Sequence, residues 1–136
     1  MKRIFLDTSI LLDVVLHRDQ FADSARVWND CETGKALGLI SAISLNIIHY
    51  IARKAISSGD ALESIRHMLN IFTVVPLDAS ILRMAVDFPH KDFEDAIQIF
   101  SALQAKADCF ITRDYLHFST EYLPVLTPAE YRGIVQ

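Results

Sequence analysis

Four short apolar runs without in-out alternation, RIFL (3–6), ALGLI (36–40), FTVV (72–75) and CFIT (109–112), constrain the fold of this chain more than any other feature. A strand wetted on one face alternates polar and apolar residues, so continuous Ile, Val, Leu and Phe read as strands covered on both faces. A weaker run, PVLT (124–127), has the same character. The segments between carry helical spacing. In ISLNIIHYIARKA, Ile43, Ile47, Tyr50 and Ile51 share one face while Asn46, His49 and Arg53 share another, and Ala96, Ile99, Phe100 and Leu103 repeat the interval. Further helices are expected near 8–16, 20–32, 60–71, 78–87 and 128–132, with SSGD (57–60) turning a helical hairpin across 41–71. Strands alternating with helices give an α/β fold, a three-layer α/β/α sandwich around a mainly parallel sheet of about five strands.

At 136 residues, 51% hydrophobic and 22% charged, the chain fits a single domain spanning 1–136. Its net charge of −4 offers no general attraction to phosphate, so contact with nucleic acid would rest on local cations or bound metal ions. Cys31 and Cys109 stand too far apart for a CxxC pair, and the five histidines show no HxxxH spacing, which argues against zinc. The opening MKRIFLDTSILLDVVLH is interrupted by Asp7 and Asp13 and lacks a small-residue cleavage site. No apolar stretch approaches the ~20 residues of a membrane helix. The expectation is a soluble cytoplasmic protein with no membrane partner.

KDFEDAIQIF (91–100) places three carboxylates in four positions before turning apolar. Ligands of parallel sheets bind beyond the carboxyl ends of the strands. Asp7 closes the first run and Asp114 lies two residues past CFIT, while FPHK (88–91) can deliver Asp95 to the same edge. Carboxylates gathered there repel and hold protons unless a cation intervenes, and a pocket of aspartates without imidazole or thiolate suits Mg2+ or Mn2+. Thr8 and Ser9 after Asp7, and Thr112 before Asp114, can donate hydrogen bonds that orient ligand carboxylates. Taken alone, Asp92 followed by Asp95 is an ordinary helix cap; Asp7 and Asp114 reverse that preference. Glu94 points away from both and reads as solvated, Asp13 as an exposed polar or helix-packing residue, and Arg53, Lys54, Lys91 and Arg113 as ordinary surface cations.

FLDTSILLD, ISAISLNIIHYIARK, DFEDAIQIFSAL and ADCFITRD, in this order over residues 4–114, resemble the PIN-domain ribonucleases, the family that includes the VapC-type toxins. The resemblance implies metal-dependent cleavage of single-stranded RNA, with Asp7, Asp95 and Asp114 at the first, third and fourth acidic positions. It makes Asp92 an auxiliary ligand, direct or through water; a two-ion site would need a bridging carboxylate, for which Asp7 is the candidate. It also implies a homodimer and an antitoxin protein. The sequence departs from the pattern at the second position, where Asn46 stands in place of glutamate and offers a carbonyl oxygen without charge. That departure favours a rival expectation, a catalytically weak or inactive PIN-fold module that binds RNA or a partner. A phosphatase of the haloacid-dehalogenase type ranks last, because DTS does not supply its D-x-D. The chain also lacks G-x-S-x-G, G-x-G-x-x-G and the P-loop.

Overall fold

A computed structural model describes residues 1–19, 21–89, 92–114, 118 and 121–135, with side chains as far as residue 132. Strands β1 (Lys2–Leu6), β2 (Ala36–Ser41), β3 (Thr73–Val75), β4 (Cys109–Ile111) and β5 (Val125–Leu126) pair in the order β3-β2-β1-β4-β5. Every pairing is parallel, and β1 lies between β2 and β4, with Ile4 opposite both Gly38 and Cys109. The connections are α1 (Thr8–Val15), α2 (Phe21–Glu32), α3 (Ala42–Ala55), α4 (Ser58–Ile71), α5 (Ala79–Asp87), α6 (Phe93–Gln104) and α7 (Pro128–Val135). Among the described residues, no helix is long and apolar enough to cross a membrane.

The absence of alternation in the strands is explained by cover on both faces. Ile4 and Leu6 of β1, with Cys109 and Ile111 of β4, pack into a core with Ile10, Val27, Trp28, Ile48, Met68 and Tyr131 from α1, α2, α3, α4 and α7. Phe5 and Phe110 turn the other way, against Ile99 and Ala102 of α6, with their rings stacked 5.4 Å apart. α5 joins α6 through Ile81, Ala85, Ala96 and Ile97. The three layers are therefore a five-stranded parallel sheet between two helical faces.

Two local expectations need correction. SSGD is not a four-residue turn: Ser57 caps α4 by accepting the Asp60 N–H at 3.0 Å, so Ser58 to Asp60 already form its first turn. On α3 the buried stripe is Ser44, Ile48 and Ala52, while Tyr50 is 53% exposed, with Lys54 Nζ 3.0 Å from its hydroxyl and 4.1 Å from its ring centre. Ser44 meets Thr8 of α1 and Gln98 of α6. Tyr50 is left to interact with cations at the surface.

Gly38 is where the first core is tightest. A Cβ there would lie 2.6 Å from both Cys31 Sγ and Phe72 Cδ1, inside contact distance of two buried side chains. Gly38→Ala is expected to destabilise the fold by roughly 1–3 kcal/mol through overpacking. A urea melt showing unchanged or raised stability would mean that α2 and Phe72 shift freely.

Candidate active site

The sheet order changes direction at β1: the chain moves from β1 to β2 and β3 on one side, then returns to β4 and β5 on the other. The crevice beyond the carboxyl ends of β1 and β4 is where such a fold can receive a ligand. Asp7 stands there. Its backbone N–H extends the ladder to the Ile111 carbonyl at 3.0 Å, after which the chain turns and Asp7 caps α1.

The Asp7 side chain is 6% exposed and accepts three hydrogen bonds. The Thr8 N–H donates to Oδ1 at 2.8 Å, and the Ser9 and Thr112 hydroxyls donate to Oδ2 at 3.0 and 2.8 Å. Ser9 and Thr112 thus fix the orientation of the Asp7 carboxylate. Thr112 also accepts the Asp114 N–H at 3.0 Å, which links Asp114 to Asp7 through one hydroxyl. Burial pushes the Asp7 carboxyl above its ordinary range; the bonds from Thr112, Ser9 and Thr8 oppose this, and the charge of Asp114 adds to it.

From α6 the acid whose contact with this pocket is visible is Glu94, a correction to its reading as a solvated residue. Half-buried, it lies 3.5 Å from the Thr8 hydroxyl, and its pKa is raised by burial and then by the charges of Asp7 and Asp92. Asp95 is half-buried in the first turn of α6, and its N–H donates to Oδ1 of the exposed Asp92 at 3.2 Å. Asp92 is therefore the cap of α6. His90 and Lys91, in the segment expected to deliver Asp95, lie outside the described residues.

Behind Thr8 is a polar cluster that the sequence did not announce. Gln98, fully buried in the apolar half of α6, donates through Nε2 to Thr8 Oγ1 at 3.1 Å and to Ser44 Oγ at 2.9 Å, and the two hydroxyls are 2.8 Å apart. A glutamine inside AIQIFSAL was the available clue. Asn46 is exposed and lines a shallow groove with Ile47, His49, Tyr50, Ile51 and Arg53; among the described residues no hydrogen bond joins it to Asp7. From α3 the residue that reaches toward the pocket is Ser44.

Of the two readings of Asp13, the helix-packing contact holds and the exposed position does not, while Arg113 departs from its reading as an ordinary surface cation. Asp13 is fully buried, accepts the Ser24 hydroxyl at 2.8 Å and holds Arg113 Nε at 2.8 Å. The Nε lies off the hydrogen-bond axis, so the contact is an ion pair, and it draws the guanidinium beside Asp114 toward α1. No lysine or arginine among the described residues forms an ion pair with Asp7, Glu94 or Asp114.

This donor set fits a hard divalent cation. A carboxylate has about four acceptor positions, of which three on Asp7 are filled by donors, leaving one on Oδ1 beside further carboxylates. Among the described residues no three acids, histidines or cysteines lie close enough together to hold one ion.

The PIN domain family model matches residues 3–116, most of the chain, and the protein belongs to the PIN-domain family. No curated protein sequence matches significantly. Similar solved structures include a DNA-bound VapBC from Salmonella typhimurium (TM-score 0.71, 14% identity, 94% of this chain and 99% of that one). A toxin-antitoxin complex from Klebsiella pneumoniae gives a TM-score of 0.69 at 21% identity, with 92% and 97% covered. The sarcin-ricin loop cleaving toxin VapC20 of Mycobacterium tuberculosis gives 0.65 at 15%, with 88% and 92% covered. At these identities the likeness is one of fold.

Proposed function

We propose that the chain is a divalent-metal-dependent endoribonuclease that hydrolyses phosphodiester bonds in single-stranded RNA, and the toxin of a toxin-antitoxin pair. The observation that carries this reading is Asp7: a buried carboxylate at the sheet's reversal point, held by Thr8, Ser9 and Thr112, with Asp114 and Glu94 as acidic neighbours. Such a hollow favours a cation. Asp7, Asp95 and Asp114, with Asp92 as auxiliary, are the residues that would hold Mg2+ or Mn2+. When bound, such an ion lowers the pKa of water and offsets charge on the phosphate and leaving oxygen. Asp7 keeps its orientation through Ser9 and Thr112. A thiol nucleophile is not part of this chemistry, since burial pushes Cys31 up to about 12 and Cys109 up to about 11.

A protein antitoxin and a homodimer belong to the same proposal, supported by family membership and by the toxin-antitoxin complexes among the structural neighbours. The exposed Asn46, uncharged where the family pattern places glutamate, favours a second reading, a module that binds RNA or a partner without turnover. Labelled single-stranded RNA incubated with Mn2+ or Mg2+ separates the two. Cleavage by the wild type, reduced on the order of 10²-fold or more by Asp95→Asn or Asp114→Asn, supports the nuclease. Equal cleavage by wild type and both variants removes it, and RNA retention without turnover at any metal level supports the module.

A further inference from the structure

We propose that Glu94 is a further acid of the cation site, replacing from α6 the charge that Asn46 does not supply from α3, and that Gln98 and Ser44 are positioning residues that aim the Thr8 hydroxyl at it. This rests on the metal-dependent reading above.

The direction of the hydrogen bonds follows from chemistry. An amide nitrogen only donates, so Thr8 Oγ1 and Ser44 Oγ both accept from Gln98 Nε2, at 3.1 and 2.9 Å. An ionised carboxylate only accepts, so the single Thr8 hydroxyl proton goes to Glu94 Oε1, at 3.5 Å. Ser44 then has one place for its own proton, Thr8 Oγ1 at 2.8 Å. Every hydroxyl proton in the chain is thereby assigned: Gln98 to Ser44, Ser44 to Thr8, Thr8 to Glu94.

Thr8 is the junction. Its backbone N–H holds Asp7 and its hydroxyl holds Glu94, so one residue brings both carboxylates to the same crevice. The bond to Glu94, at 3.5 Å, is the longest link of the chain. Thr8, Ser44 and Gln98 are all buried, which denies the hydroxyls water as an alternative partner. Gln98 Oε1 is buried without a partner among the described residues, a cost that the two bonds made by Nε2 offset. Reversed, the amide would accept from both hydroxyls and leave Glu94 without the Thr8 proton.

The test is Mn2+ binding by the full chain, read as loss of the free-ion electron paramagnetic resonance signal, alongside thermal melts in chelator. Glu94→Gln and Gln98→Met are each expected to weaken Mn2+ binding by about tenfold or more, the range seen when groups that orient ligands are removed. In the Glu94→Gln background, Gln98→Met should add less than about twofold, because the two act through one chain. Thr8→Val should reproduce the loss and Thr8→Ser, which keeps the hydroxyl, should restore affinity. Should Gln98→Met fail to fold, Ser44→Ala interrupts the same chain. Wild-type affinity in Glu94→Gln overturns the inference and leaves the nuclease standing. A Gln98→Met loss that persists undiminished in the Glu94→Gln background reduces Gln98 to a packing role and overturns it too. If the wild type binds no Mn2+, the metal-dependent reading falls and this inference with it.

Discussion

Asp7→Asn is expected to abolish Mn2+-dependent RNA cleavage and, with metal chelated at pH 7, to raise the melting temperature. Both effects have one cause. Asp7 is 6% exposed, and burial raises its carboxyl above the ordinary 3.8 despite three donors. A raised carboxyl pKa means that the folded state binds the proton more tightly than the unfolded chain. The stability this brings is complete below 3.8 and is lost as pH rises through the higher folded value. Above that folded value the wild type carries a buried, desolvated charge that asparagine does not. Asparagine caps a helix as well as aspartate, and its amide can donate to the Ser9 and Thr112 hydroxyls where the carboxylate accepted from them. The expected gain is several degrees, the scale on which about 1 kcal/mol moves a domain of this size. The gain should vanish toward pH 4. Mn2+ should raise the melting temperature of the wild type and leave the variant unmoved. Calorimetry in chelator over pH 4–7, with the RNA assay alongside, checks each part. A variant that melts lower at pH 7 would make Asp7 a structural hub rather than a charge kept for a cation, and retained cleavage would remove it from the chemistry.

The sheet was legible in the sequence because its strands are buried on both faces, which leaves an apolar signature that needs no knowledge of partners. That Asp7 and Asp114 lie at the carboxyl edge follows from parallel strands once these are recognised, whereas the order of the strands, and so the reversal at β1, came only with the fold. Side-chain direction on the helices was less legible. Tyr50 fits an apolar stripe by spacing, yet the helix buries Ser44, whose hydroxyl meets Thr8 and Gln98, and Ala52, while the Tyr50 ring meets Arg53 and Lys54. Glu94 was set aside because the rotation of α6 relative to Asp7 is fixed by tertiary packing, through Ile97 against α5 and Ile99 against the sheet. Asp13 could be read as exposed or as a helix-packing contact, and its ion pair was out of reach because Arg113 is distant in sequence and adjacent only after β4 pairs with β1. Local patterns reveal period and burial; contacts between polar groups far apart in the chain require the fold.

Arg113→Gln is expected to be among the most destabilising single changes outside the apolar core, and to cost more than removing its partner. Asp13 has no exposed surface, whereas the Arg113 side chain is 30% exposed. Without the guanidinium, Asp13 keeps, among the described residues, only the Ser24 hydroxyl at 2.8 Å, and a buried charge is left uncompensated. Breaking a pair in this way costs roughly 3–5 kcal/mol, enough to lower the melting temperature by about 10 °C or more. Asp13→Asn leaves the opposite situation: the amide can still accept from Ser24, and the arginine can turn its charge into water. The double variant Asp13→Asn/Arg113→Gln should therefore be more stable than Arg113→Gln alone. The pair also bears on the site, since Arg113 separates Thr112, which holds Asp7, from Asp114. Anchoring Arg113 to α1 limits how far Asp114 can swing from Asp7, so cleavage by Arg113→Gln should fall even at temperatures where the variant is fully folded. Urea denaturation of the three variants with the RNA assay at low temperature tests both halves. If Arg113→Gln is no less stable than Asp13→Asn, the buried carboxylate is neutralised by another route and the ion pair is incidental.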